Sequence, residues 1–158
     1  MSSSLTSTAA ATLPVLLVWA GAVDIVTRAI PNLIVLLLVV SFGLFAAGMG
    51  LPARDFAAHF ACAVTVLAGG FVLFVRSMIG GGDAKLLAAA ALWFGFENLL
   101  PFLTGVAMAG GALAIAYLAV HAIRQWLGLT SERASTIPYG AAVAAGALAV
   151  LPNCLVSL

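Results

Sequence analysis

Charge is what this chain has least of. Its 158 residues hold six Lys and Arg and five Asp and Glu, 7% charged in all, where an ordinary soluble domain carries roughly 25%. So few polar groups cannot cover a water-facing surface, which excludes a soluble enzyme and a disordered tail. A net charge of +1 leaves nothing to grip a phosphate backbone, so no nucleic-acid partner is expected. Cysteine is almost as scarce. Cys62 and Cys154 sit in apolar surroundings and form no Cys-x-x-Cys, while a structural zinc site needs about four ligands. Both read as free thiols, and no metal or other cofactor is expected. Basic residues are absent from positions 1–12. The apolar run from Leu13 to Trp19, followed by Ala20-Gly21-Ala22, therefore lacks the positive region of a signal peptide and reads as a first membrane span.

What is abundant is oil-soluble side chain: 65% hydrophobic residues and a mean hydropathy of +1.24. The fold class that follows is all-α, a polytopic integral membrane protein with about six transmembrane helices in one domain spanning 1–158. Breaker and polar residues divide the chain into apolar pieces at about 9–27, 33–50, 56–75, 84–96, 99–123 and 137–155, the fourth being short. Arg28, Arg76, Lys85, Arg124 and Arg133 fall in or beside the connections after the first, third and fifth pieces, and only Arg54 falls on the other side. The positive-inside rule puts the five-residue side in the cytoplasm.

Five carboxylates remain to be explained. Asp55 neighbours Arg54, Glu132 neighbours Arg133, and Glu97 lies at a span end; such exposed groups are usually solvated. Asp24 differs, because it occupies the last turn of an apolar span. There it either pairs with Arg28 four residues on or serves a function. Asp83 follows Gly80-Gly81-Gly82. It could cap the next helix, but a cap needs no run of three glycines, which suggests a turn with positive φ or close approach of other groups.

Both aspartates fall at the same depth on the same side. Two carboxyls brought together share a proton, because both cannot easily ionise side by side. The ionised member can then draw a proton from water as that water attacks a peptide carbonyl, while the protonated member serves the oxyanion or the leaving amine. His59 and His121 have no plausible Ser nucleophile nearby, and a proton-relay or packing role fits each better. Two aspartates alone under-supply a metal site. The alternative from another class is a small transporter or proton-conducting subunit that uses Asp24 and Asp83 as carriers.

The segment Asp24-Ile-Val-Thr-Arg28-Ala-Ile30-Pro31-Asn32 resembles the first active-site segment of type IV prepilin peptidases. Gly80-Gly81-Gly82-Asp83-Ala84-Lys85 resembles their second, the Gly-x-Gly-Asp segment of an aspartic protease core, and Ile137-Pro138-Tyr139-Gly140 is similar to a Pro-aromatic-Gly element of the same family. The resemblance implies a membrane aspartic endopeptidase of the bacterial inner membrane. It would remove the basic leader of prepilins or pseudopilins after a glycine, at the cytoplasmic face. The partners implied are that substrate, with its basic leader and apolar helix, and the lipid bilayer. Carried over by position, Asp24 and Asp83 would be the catalytic pair. Gly80 and Gly82 would shape the turn presenting Asp83, Lys85 would support that turn or the leader, and Pro31 and Asn32 would form the turn beside Asp24. Arg28, Pro138, Tyr139 and Gly140 belong to the matching segments. Larger members carry a cytoplasmic insert with Cys-x-x-Cys pairs and methylate the new terminus. Here only residues 29–32 separate Arg28 from the second span, so the chain looks like the short peptidases of Tad/Flp-type pili, without methyl transfer.

Overall fold

The computed structural model describes residues 2–128 and 138–155, with side chains placed over 11–128 and 138–151. Glu132, Arg133, Ile137 and the Cys154 side chain lie outside the described residues. Among the described residues six helices follow one another: α1 (Ser2–Thr27), α2 (Asn32–Met49), α3 (Ala53–Val75), α4 (Gly81–Phe94), α5 (Leu99–Trp126) and α6 (Tyr139–Leu155). Apart from α1, which begins well before the first apolar piece, they fall close to the apolar pieces, with Pro31, Pro52 and Gly80, all with extended backbones, immediately before α2, α3 and α4.

The chain is a polytopic, all-helical membrane protein. Three of the six helices, α2, α3 and α5, are long and apolar enough to cross a bilayer. The described parts of α1 and α6, Ala11–Thr27 and Tyr139–Leu151, are shorter apolar stretches. The 14 residues of α4 rise only about 21 Å at 1.5 Å each, short of a hydrocarbon core of about 30 Å.

That short helix is the centre of the bundle. It packs on α3, α2, α6 and α5, while α1 bridges α2 and α6 and α5 lies along α6. Its burial is made possible by alanine: Ala84, Ala88, Ala89, Ala90 and Ala91 are all buried, and small side chains let helix backbones approach where lipid supplies no hydrophobic drive. The same device recurs at the crossings. Gly70 of α3 lies against Ala84, where an added Cβ would come within 3.0 Å of the Ala84 Cβ, and Gly21 of α1 lies against Ala144 of α6. At the α5–α6 crossing Gly105 and Gly146 meet so closely that a Cβ on Gly146 would overlap the backbone nitrogen of Val106.

At the end of the bundle remote from the aspartates, aromatic rings close the packing. Phe42 stacks near Phe56, His59 and Trp93, with centroids 5.9, 5.3 and 5.6 Å away. His59 Nδ1 lies 2.8 Å from the Leu92 carbonyl, and Trp93 Nε1 donates to the Leu38 carbonyl at 3.0 Å. His59 is thus a partly buried, hydrogen-bonded packing residue, with Gly95 (φ 62) turning beneath its ring.

Candidate active site

Asp24 lies in the last turn of α1 and is buried, 5% exposed. The helix stops three residues later at Thr27, whose hydroxyl donates back to the Val23 carbonyl. Arg28 then leaves the helical path at φ 56, and Ile30-Pro31 turns the chain into α2.

Asp83 is half-buried in the first turn of α4. It is the third helical residue, with Gly80 at the N-cap position, so it does not itself cap the helix. Instead its Oδ2 accepts the Gly80 N–H at 3.2 Å. None of Gly80, Gly81 and Gly82 has a positive φ, which corrects the expectation of a left-handed turn. Close approach is what excludes side chains there. A Cβ on Gly80 would meet Asp83 Oδ2 at 2.7 Å, one on Gly81 would meet the Phe74 ring at 3.3 Å, and one on Gly82 would meet Ile30 at 3.3 Å.

The third wall is the start of α6. The first N–H groups of any helix lack intrahelical partners and carry the positive end of its dipole. Here the Ala141 N–H donates to Asp24 Oδ2 at 3.3 Å, and the neighbouring Gly140 N–H faces Asp83. Gly140 must be glycine for this: a Cβ would lie 2.9 Å from Asp24 Oδ2 and 2.7 Å from Ile30 Cδ1. Successive amides of one helix start therefore serve one carboxyl each.

Asp83 precedes the apolar body of α4 and lies outside the three helices long enough to span. Burial first, and the Asp24 charge second, push its carboxyl up to about 6, against the opposing pull of the Gly80 and Gly140 N–H groups.

The remaining motif residues frame the pair. Lys85 Nζ donates to Asn32 Oδ1 at 3.3 Å, tying the first turn of α4 to the first turn of α2. Pro31 and Pro138 precede α2 and α6, and Tyr139 faces a cavity beside Asp83. Ile30, wedged between Gly82 and Gly140, holds the three segments together; its only signal in the sequence is its place between Arg28 and Pro31. Arg28 and Lys85 flank the helix ends that carry the aspartates, Arg76 and Arg124 lie at the ends of α3 and α5 on the same side, and Arg54 starts α3 at the opposite end. Among the described residues no group of three His, Cys, Asp or Glu side chains forms that could hold a metal ion.

Two carboxyls from helix ends 59 positions apart in sequence, joined beneath the start of a third helix, define a membrane protein with an acid pair set into its bundle. The model of the type IV leader peptidase family matches residues 11–115, which include both aspartates and end before Pro138. The chain belongs to the type IV leader peptidase family and is a membrane peptidase by that membership. No curated protein and no solved structure matches it.

Proposed function

We propose that this protein is an aspartic endopeptidase that removes the basic leader from type IV prepilins or pseudopilins, with Asp24 and Asp83 as the catalytic pair. The observation that carries this reading is the convergence of the two carboxyls on the Gly140 and Ala141 amides. The ionised member takes a proton from water, and the resulting hydroxide attacks the scissile carbonyl. The protonated member donates its proton to the developing oxyanion and takes it back as the tetrahedral intermediate collapses, while the member that took the proton from water passes it to the leaving amine, so the pair again holds one proton. The α6 amides stabilise whichever carboxyl is ionised, so charge can move between the two. No cofactor enters the chemistry.

The basic residues clustered at the aspartate end support placing that end in the cytoplasm, with the protein in a bacterial inner membrane. A prepilin presents its leader on that side, so its scissile bond reaches the membrane boundary where the pair lies. The four-residue connection 29–32 and the absence of a Cys-x-x-Cys pair favour the Tad/Flp-type substrate and argue against methyl transfer. The test is co-expression with a Flp-type prepilin. Wild type should release the leader, and Asp24→Asn and Asp83→Asn, inserted normally, should not. Cleavage by either well-inserted mutant would overturn the two-aspartate mechanism.

A further inference from the structure

Beside Asp83 lies a cavity of about 400 Å³ whose walls are otherwise almost wholly apolar. It is bounded by α4 through Leu87, by α5 through Gly110 and Gly111, by α6 through Val143, and by Leu73 near the end of α3. Its direction follows from the α5–α6 register. Gly105 meets Gly146, and Gly110 lies 3.6 Å from the Ala142 Cβ, as an added Cβ would measure it. The two helices are therefore antiparallel, and Ala114, four residues further along α5, comes level with the start of α6 and the acid pair. From Ala114 down to Leu103, both lining the cavity, α5 descends about 16 Å into the apolar layer. The cavity thus runs from the carboxyls toward the membrane interior. It is also open sideways, because α3 and α5 do not pack along one another.

The glycines on this wall have different tasks. Gly105 is consumed by the crossing with α6, where a Cβ would meet the Gly146 carbonyl at 2.9 Å. Gly111 has nothing within 4 Å of where its Cβ would be, so neither packing nor backbone conformation requires glycine there. What it preserves is the width of the groove one turn below the acid pair.

We infer that this groove is the substrate's seat: the apolar helical segment that follows the scissile bond passes sideways between α3 and α5 and lies along α5 and α6, with Gly111 setting the bulk it accepts. The occupant is fixed by the groove's continuity with Asp83 and its apolar lining. Beyond Asp83 at its end the groove offers a basic leader no counter-charge, whereas an apolar helix placed there delivers its first peptide bond to the carboxyls. This inference rests on the proposed peptidase reading and specifies how that site is filled.

The experiment compares wild type, Gly111→Ala and Gly111→Leu on a purified prepilin in detergent or liposomes. Alongside, Asp83→Asn holds uncut prepilin that carries a photoreactive residue one or two turns after the scissile bond. The Gly111 variants should fold as wild type does, since their side chains enter open space. Gly111→Leu should lose about tenfold or more in kcat/KM, expressed mainly in KM, with Gly111→Ala between. The photoreactive residue should label the cavity side of α5 and the start of α6, leaving lipid-facing Met108 unlabelled. Wild-type kinetics in Gly111→Leu, or labelling confined to Met108 or to α2, would overturn the groove and leave the acid pair untouched. Undiminished cleavage by Asp24→Asn and Asp83→Asn would instead overturn the catalytic reading, and the groove's role with it.

Discussion

The backbone N–H of Ala141 donates to the Asp24 carboxylate at 3.3 Å across 117 positions of sequence. That bond makes the start of α6 part of the acid site, although α6 supplies no acidic side chain to it. An amide fixed at a helix start is already oriented and gives up no side-chain entropy on bonding. The first two peptide N–H groups after Tyr139 therefore hold the two carboxyls at set positions, and the site depends on backbone placement as much as on the acids.

Gly140→Ala should be among the most damaging small substitutions in the chain. Its Cβ would press on both Asp24 and Ile30, moving α6 away from the pair by a fraction of an ångström to an ångström. Displacements of that size cost about a hundredfold in rate. Leader cleavage by membranes containing equal amounts of inserted protein measures it, and a mutant as active as wild type would remove α6 from the site.

Asp24→Asn should lower the pH at which Asp83 ionises, because the Asp24 charge is one of the two causes that raise it. The shift should be partial, since burial, the larger cause, stays. The pH dependence of carbodiimide labelling at Asp83, read by mass spectrometry, follows the protonated carboxyl directly. A midpoint that stays put or rises contradicts the Coulombic coupling.

The same group makes a signed prediction for stability. Its folded value of about 6 lies above the ordinary 3.8, so the unfolded chain releases this proton first. The contribution is fully favourable below pH about 4 and is lost as the pH rises through about 6. Asp83→Asn keeps an oxygen acceptor for the Gly80 N–H and cannot ionise. At pH 8 its Tm in detergent should equal or exceed that of wild type, even though its cleavage is abolished.

His59→Phe separates packing from proton relay. The ring survives within the Phe42 and Trp93 cluster, while the contact with the Leu92 carbonyl disappears. Stability should fall by about 1 kcal/mol, and cleavage by the folded protein should be unchanged. A loss of activity at unchanged Tm would assign His59 to the chemistry.

Gly146→Ala tests the α5–α6 crossing. The added methyl overlaps the backbone at Val106, and overpacking of this kind costs about 1–3 kcal/mol. A clear drop in Tm is expected, with no loss at Gly111→Ala, where space is free.

The helix boundaries and the acid pair were legible for one reason. Apolar pieces ended by Pro31, Pro52 or Gly80 leave few alternatives when every backbone group inside lipid must bond within its own segment. An aspartate in such a piece stands out by its cost, and the alternation of sides brings Asp24 and Asp83 to the same depth. The triple glycine was visible but misleading, because positive φ and close approach leave the same residue in the sequence. Only the neighbours Asp83, Phe74 and Ile30 tell the two apart. Likewise Gly105 and Gly111 look alike on α5, yet one sits in a helix crossing and the other faces a groove.

By itself the sequence determined the all-helical membrane class, the helix ends and the shared depth of Asp24 and Asp83, all of which follow from local hydropathy and backbone bonding. Tertiary structure alone decided that the short α4 is central, that the Gly140 and Ala141 amides serve the two carboxyls, and that an apolar groove leads to Asp83. These depend on which helices become neighbours, and that is set by small side chains meeting across crossings far apart in the chain.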